Sequence, residues 1–183
     1  MNEKLIEWND TDIEIGYKGS LDVLLHERFT ENAECVAAKD QSGEFTYAQL
    51  EAASNAVSDI VRAAADQNVC VLVGNRAERL AYVTGIIKAG KTYVPLGMNT
   101  PVKRNMEIVS NVEPGFILTD EENREDAELI ASECGIPAEK VLIRTMSELE
   151  KADCGFTAGI RSAAASISFL LNCHMASPAA SKV

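Results

Sequence analysis

The chain has 183 residues, of which 46% are hydrophobic and 25% are charged. This length and balance indicate one folded, water-soluble domain, or most of one, and exclude disordered and fibrous proteins. The net charge of −11 comes without a local basic patch, which excludes binding to nucleic acid or to an anionic membrane. The five cysteines show no C-x-x-C spacing, so we expect reduced thiols in a cytoplasmic protein, without a disulfide framework or a zinc site.

The N-terminal segment, residues 1–19, is acidic and mixed in character. A signal peptide would have a basic start and an apolar run, so this segment favours a protein that stays in the cell. We interpret it as an extension ahead of the folded domain. The longest stretch of low charge, 162–181, contains Ser, Asn, His and Pro, and it therefore predicts no transmembrane helix.

The spacing of apolar residues predicts the elements in chain order. A stripe of apolar side chains predicts a first helix over 20–32, and two short strands, 35–39 and 44–47, follow it as a hairpin. Thr46 stands in a capping position before a second amphipathic helix over 47–65. The remaining predicted strands are 69–74, 93–96, 115–120 and 140–145, and the remaining predicted helices are 77–89, 101–110 and 122–134.

From residue 69 onward the predicted strands alternate with helices. Such a succession is typical of βαβ units with right-handed crossovers, which build a mostly parallel sheet flanked by helices. The predicted fold class is therefore α/β.

Residues 151–183 do not continue this alternation. They carry Lys151, Arg161 and Lys182 against Asp153 alone, and clusters of Ala and Ser replace the strand and helix pattern. We interpret this segment as a divergent or out-of-frame tail of low definition, with a weak helix candidate over 163–171.

Two stretches have the form of known motifs. FTYAQL at 45–50 has the form of the first core motif of adenylation domains, with Gln49 where the motif has Glu. IIKAGKTYVPLGMNTP at 86–101 has the form of the second core motif of the same family, with Gly97 where Asp is usual. The matching positions are Thr46, Tyr47 and Leu50 in the first motif and Lys88, Ala89, Gly90, Tyr93, Val94, Pro95, Leu96 and Pro101 in the second.

On these motifs the chain resembles the N-terminal part of an adenylate-forming enzyme of the AMP-dependent synthetase and ligase superfamily. It is most similar to the adenylation domains of nonribosomal peptide synthesis, and we assign 20–150 to that domain. The resemblance implies a ligase that activates a carboxylic substrate as acyl-AMP, with ATP and Mg²⁺ in the intact enzyme. The substrate that the resemblance favours is an amino acid. It also implies that the remainder of the adenylation domain or synthetase is the partner of this chain.

We expect the motif residues to have structural roles, and we assign none of them to catalysis, cofactor binding or metal binding. Gly90 is expected to end a helix in the left-handed conformation, and Lys88 to interact favourably with the dipole of that helix. Tyr93 and Val94 suit a pleated strand, and Pro101 suits the start of the next helix.

In this family a loop rich in Ser, Thr and Gly, ending in Pro-Lys-Gly, holds the ATP phosphates and would follow residue 150 closely. Small residues there let backbone N–H groups surround the phosphates. The corresponding stretch here, ISFLLNCHMASPAASKV, has no glycine to adopt the left-handed angles of such a loop. We therefore expect a truncated fragment that is inactive alone and binds no ATP.

We expect the other residues with reactive or charged side chains to have ordinary surface roles. His26 lies on the polar side of a predicted surface helix, and Cys173 and His174 are adjacent, so they do not face each other as a nucleophile and its base would. The acidic run 120–126 opens a predicted helix, where negative charge is favourable, so we expect a solvated helix start.

Two alternatives to a ligase fragment stay open. One is a non-catalytic interaction module or a degenerate remnant, which would bind no ATP. The other is an independent Rossmann-like domain, which predicts a nucleotide site at a strand end but lacks a G-x-G-x-x-G stretch. For the isolated chain we also expect self-association, because the rest of the enzyme would normally cover its apolar sheet face.

Overall fold

The computed structural model describes residues 19–152. The predictions for the N-terminal extension and for most of the tail lie outside these residues. The weak helix candidate over 163–171, Cys173 and His174 belong to that part of the chain.

The described chain begins with a helix and a two-stranded hairpin, after which helices and strands alternate. The helices are α1 (Leu21–Glu31), α2 (Tyr47–Arg62), α3 (Ala77–Lys88), α4 (Val102–Val112), α5 (Arg124–Glu133) and α6 (Met146–Glu150). The strands are β1 (Val36–Asp40), β2 (Gly43–Thr46), β3 (Asn68–Leu72), β4 (Thr92–Pro95), β5 (Phe116–Thr119) and β6 (Val141–Ile143), and a 3₁₀ turn at Ala138–Lys140 precedes β6. The predicted elements within the described residues are all present, and their ends differ by a few residues at most.

Helix α6 is not among the predicted elements. Thr145 caps it, because its hydroxyl oxygen accepts the N–H of Glu148 at 3.3 Å and the Glu148 carboxylate accepts the N–H of Thr145 at 2.8 Å. Its Met146 and Leu149 side chains are buried. The Thr-x-x-Glu capping signal is visible in the sequence, but a helix of this length has too few residues to show an apolar period.

The hairpin of β1 and β2 is antiparallel, and Asp40 pairs with Gly43 at its turn. Asp40 also fastens the hairpin to α3, because its Oδ2 accepts the N–H of Ala77 at 2.8 Å while Oδ1 accepts that of Ser42 at 2.7 Å. Burial alone would raise the pKa of Asp40, but these hydrogen bonds and the nearby Arg76 hold the pKa below its ordinary value.

The central sheet has four parallel strands in the order β4-β3-β5-β6. Val69 of β3 pairs with Tyr93 of β4 on one side and with Phe116 of β5 on the other, and Ile117 pairs with Val141 of β6. This arrangement confirms the predicted α/β class and parallel sheet. Because β4 and β5 flank β3, the winding direction of the chain changes between β3 and β5.

The sheet separates two apolar cores. Val69, Val71 and Val73 pack with residues of α1, α2, α3 and α6 on one face, which we call the α2–α3 side. Cys70 and Leu72 pack with α4 and α5 on the opposite face, the α4–α5 side. Alternate residues of β3 thus enter opposite cores, as a strand covered on both faces requires.

The expected self-association rests on a bare apolar sheet face, and the structure shows none within residues 19–152. Helices cover both faces of the four-stranded sheet there. The large apolar side chains exposed in this part of the chain lie in separate elements and are Val36, Leu80, Met98 and Leu129. The physical reason for self-association is therefore absent from the described residues, and self-association itself stays a prediction.

Candidate functional site

The first motif forms the start of α2. The hydroxyl oxygen of Thr46 accepts the N–H of Gln49 at 3.3 Å, and the side-chain oxygen of Gln49 accepts the N–H of Thr46 at 2.8 Å. Gln49 therefore closes the capping box as a glutamate would. Its amide nitrogen also donates to Glu150 of α6 at 3.4 Å, a contact that a second carboxylate at position 49 could not make.

The other two residues of the first motif join the core of the α2–α3 side. The ring of Tyr47 lies 5.4 Å from that of Phe29 on α1, centroid to centroid, at a tilt of 51°. Leu50 is buried in the same core. The first motif thus contributes to the packing of α1 against α2.

The second motif covers the end of α3, β4 and the approach to α4. Ala89 is the C-cap of α3, and Gly90 follows it with a φ of +70°, which is the left-handed conformation predicted for it. Val94 is buried in the sheet, Pro95 ends β4, and Pro101 is the N-cap of α4 with a φ of −52°.

Lys88 lies in a different environment from the one predicted. Its side chain is fully buried, and its ammonium nitrogen lies 2.5 Å from Glu51 Oε2, 2.8 Å from Ser54 Oγ and 2.9 Å from Asn55 Oδ1. Burial lowers the pKa of Lys88, while Glu51 acts in the opposite direction. All three acceptors belong to α2, so Lys88 joins α3 to α2. An interaction with the dipole of its own helix is not its main role.

Glu51 extends this contact to α1. Its Oε1 lies 2.7 Å from Nδ1 of His26, so the histidine expected to be an ordinary surface residue contacts a carboxylate. The ring of Phe29 lies 5.4 Å from the Lys88 ammonium. We call the residues that share these polar contacts the polar cluster: His26, Glu51, Ser54, Asn55 and Lys88. It connects α1, α2 and α3 and lines neither of the depressions described below, which favours a structural role.

The crevice where the winding direction changes is the usual ligand position in a parallel α/β sheet. Here Asp120 occupies it. Its Oδ2 accepts the N–H of Gly74 at 2.9 Å, and its Oδ1 accepts from the N–H and the side-chain amide of Asn123 at 2.9 and 2.6 Å. A phosphate placed at Gly74 would be repelled by this carboxylate. The crevice therefore does not suit the nucleotide that the Rossmann-like alternative predicts.

The acidic run 120–126 is a solvated helix start, as predicted, for part of its length. Arg124 pairs at the surface with Glu121 at 2.7 Å and with Glu128 at 3.3 Å. Asp120 is the exception, because it is buried and bonded to a neighbouring strand end.

A depression of about 380 Å³ opens beyond the carboxyl ends of β3 and β4. We call it the β4 pocket. It is lined by Val71, Val73, Asn75, Arg79, Tyr93, Leu96, Gly97, Met98, Asn99 and Thr100. Residues of the second motif, from Tyr93 to Thr100, form part of its wall.

A second depression, of about 330 Å³, lies at the opposite edge of the sheet. Asp66, Glu113, Cys134 and Lys140 are among its lining residues, and Lys140 lies 3.7 Å from Asp66. Glu113 ends α4 with a φ of +46°, a left-handed conformation that is uncommon for a residue with a side chain. The Lys140–Asp66 pair is partly exposed, and its distance is that of an ion pair without a hydrogen bond.

Within residues 19–152, no three His, Cys, Asp or Glu side chains are grouped to hold a metal ion. No helix in the same range combines the length and the apolar character needed to cross a bilayer. The cysteines described there, Cys35, Cys70 and Cys134, are free thiols. Burial raises the pKa of Cys70 to about 12, so this thiol is protonated and unreactive at neutral pH.

Residues 25–172 match a family model described as "AMP-binding enzyme". The chain belongs to this family. A linear gramicidin synthase of Brevibacillus parabrevis is 32% identical over 124 residues, which are 64% of this chain and 2% of that protein. A plipastatin synthase of Bacillus subtilis (strain 168) is 26% identical over 149 residues, which are 80% of this chain and 6% of that protein.

The fold also occurs in solved members of this enzyme class. A benzoate CoA ligase from Burkholderia xenovorans LB400 superposes with a TM-score of 0.66 over 75% of this chain and 29% of that chain, at 12% identity. The comparisons confirm the resemblance to adenylate-forming enzymes of the peptide synthetase type. The chain spans only a small part of the length of the curated relatives that it matches.

Proposed function

We propose that this chain supplies the N-terminal part of an ATP-dependent ligase that joins a carboxylic acid to AMP and releases pyrophosphate. The match to the AMP-binding enzyme family over 25–172 is the observation that carries this proposal. The similarity to gramicidin and plipastatin synthases supports an amino acid as the acid that is activated. No observation favours the alternative of a non-catalytic interaction module.

The contribution of the described residues to such an enzyme is a framework. Both motifs act through packing and capping, with Gly90 ending α3, Thr46 starting α2 and Lys88 joining the two helices. The ATP site and its Mg²⁺ would then come from the remainder of the adenylation domain, which we propose as the partner of this framework. We also propose that this framework consists of residues 20–150, between an N-terminal extension and a divergent tail.

We propose further that the 183-residue chain does not bind ATP by itself. Two observations support this. The stretch after Gly159 has no glycine, and the carboxylate of Asp120 occupies the crevice at the winding change. Calorimetry of the purified chain with ATP, Mg²⁺ and mixed amino acids should give no binding heat, and saturable heat would contradict this part of the proposal.

The ligase framework itself can be tested by a graft. Residues 20–150 would replace the equivalent segment of an active adenylation domain from a peptide synthase, and amino-acid-dependent exchange between ATP and pyrophosphate would be measured. We expect exchange to be retained. The matched control carries Gly85→Leu in the graft, because a side chain there collides with Val57 of α2 and should abolish both packing and exchange. A graft that unfolds cooperatively but shows no exchange would contradict the proposed function.

A further inference from the structure

Side chains of α3 hold the junction between β6 and α6. The hydroxyl oxygen of Tyr82 accepts the backbone N–H of Arg144 at 3.0 Å. The same hydroxyl lies 3.1 Å from the carbonyl oxygens of Arg144 and Thr119, and it can donate to one of them at a time. One turn earlier on α3, Oε1 of Glu78 accepts the N–H of Met146 at 3.2 Å. One helix thus bonds to the backbone at the point where the chain passes from β6 to α6.

These bonds matter because the two elements that they join are short. Strand β6 has three residues and pairs with β5 alone among the described strands, and α6 has five residues. A helix of this length is not stable by itself, because its few backbone bonds do not offset the entropy of ordering it. Met146 and Leu149 attach α6 to the core, while the bonds from α3 fix the backbone that leads into it. The position of α6 therefore depends on α3.

Tyr82 is a rigid anchor for this junction. Its side chain is almost fully buried in the core of the α2–α3 side. Burial raises the pKa of Tyr82 to about 12, so the hydroxyl keeps its proton at neutral pH and can both donate and accept. Removing the hydroxyl alone would leave the ring in the core and deprive the N–H of Arg144 of this acceptor.

The segment that follows α6 belongs to the family match, which continues to residue 172. The resemblance to adenylation domains implies a loop for the ATP phosphates shortly after residue 150. We propose that Tyr82 and Glu78 are positioning residues of the ligase, which fix the β6–α6 junction and through it the start of this loop. This inference rests on the proposed function. Neither residue needs to contact ATP, because both act through the backbone that leads into α6.

The first test measures amide hydrogen exchange in the full 183-residue chain. Tyr82→Phe should accelerate exchange at the amides of residues 144 and 146–150 roughly tenfold, while the amides of α5 keep their parent rates. The matched control is Tyr47→Phe, because the Tyr47 hydroxyl makes no hydrogen bond within residues 19–152, and it should leave the junction unchanged. Parent rates at the junction in the Tyr82 variant, or an equal acceleration in α5, would overturn the inference whatever the activity of the ligase.

The second test compares the two substrates in the active adenylation domain that carries residues 20–150, where the phosphate loop of that domain follows the graft. Tyr82→Phe and Glu78→Ala should each raise the KM for ATP in the exchange reaction about tenfold and leave the KM for the amino acid unchanged. A general loosening of the domain would instead affect both substrates. Glu78→Gln should keep the parent KM for ATP, because its amide oxygen can still accept the N–H of Met146.

The outcomes separate this inference from the proposed function. A parent graft without exchange would contradict the proposed function itself. An active parent graft whose variants keep the KM for ATP, or lose affinity for both substrates equally, would overturn the positioning role alone. Equal impairment by Glu78→Gln and Glu78→Ala would also overturn it, because the bond to Met146 would then not be the cause. The Glu78 pair decides the test if the Tyr82 variant of the graft does not fold.

Discussion

The two sides of the central sheet differ in the kinds of side chain that pack between the helices and the sheet. On the α4–α5 side the contacts between helices and sheet are made by aliphatic side chains such as Val109, Ile117 and Ile130. On the α2–α3 side a similar apolar layer surrounds the polar cluster, in which the ammonium of Lys88 is fully enclosed between two helices. Parts of both family motifs contribute to this second side.

The two sides should therefore respond differently to substitution. An apolar contact loses stability in proportion to the volume removed, because the cavity that remains is only partly refilled. A buried ion pair adds little net stability compared with apolar packing, yet removing one partner leaves an uncompensated charge and is costly. The α4–α5 side should therefore be sensitive to volume, and the α2–α3 side to charge at constant volume.

The largest loss is expected from Ile130→Ala on the α4–α5 side. Ile130 is fully buried, and the truncation should lower the free energy of unfolding by about 4 kcal/mol, measured by urea denaturation. Ile130→Val, which removes a single methyl group, should cost about 1 kcal/mol. Equal losses in the two variants would show that volume does not govern this side.

On the α2–α3 side, Glu51→Gln keeps the volume and removes the charge that neutralises Lys88. We expect a loss of about 3 kcal/mol in the free energy of unfolding, because the ammonium stays buried without its carboxylate. Adding Lys88→Met to this variant should restore part of the loss. The control is Glu128→Gln in an exposed pair with Arg124, which should have no measurable effect, and a comparable effect there would refute the distinction between the two pairs.

Substitutions at two glycines distinguish the cost of overpacking from the cost of an unfavourable backbone conformation. A Cβ at Gly85 would lie 2.5 Å from Cβ of Val57, so Gly85→Ala should push α3 away from α2 and cost about 3 kcal/mol. At Gly90 no atom lies within 4 Å of the added Cβ, but the φ of +70° makes Gly90→Ala cost about 1 kcal/mol. Thermal unfolding of both variants would check the order, and a larger effect at Gly90 would contradict it.

A pH-dependent contribution is expected from Asp40, which fastens the hairpin to the start of α3. Its pKa is lower in the folded than in the unfolded chain, so its stabilisation is present above the unfolded pKa and disappears as the pH falls through the folded pKa. Asp40→Ala should lose about 1 kcal/mol at neutral pH, as for a lost helix cap, and less below about pH 4. A difference from the parent that is constant with pH would contradict this role.

The smallest effect concerns Gln49, which stands where the family motif has Glu. Gln49→Glu should keep the capping box but bring two carboxylates together at Glu150, at a cost of about 0.5 kcal/mol that added salt reduces. The double variant Gln49→Glu with Glu150→Gln should recover the loss. Failure to recover it would show that the departure at position 49 is unrelated to α6.

Some parts of this molecule could be predicted because they depend on neighbouring residues in the sequence. The capping position of Thr46, the left-handed Gly90 and the alternation of strands and helices each follow from local patterns. The position of Asp120 could not be predicted in the same way. Its partner Gly74 is 46 residues away, and the residues next to Asp120 in the sequence indicate only an acidic helix start.

We could predict the α/β class, the places of most helices and strands, and the resemblance to adenylation domains from the sequence alone, since periodicity and motifs lie in consecutive residues. The tertiary structure was needed to show that α2 encloses the ammonium of Lys88 and that His26 contacts Glu51. Each of these contacts joins side chains from different elements. Their distances depend on how the helices pack across the sheet, and the spacing of residues along the chain does not contain that information.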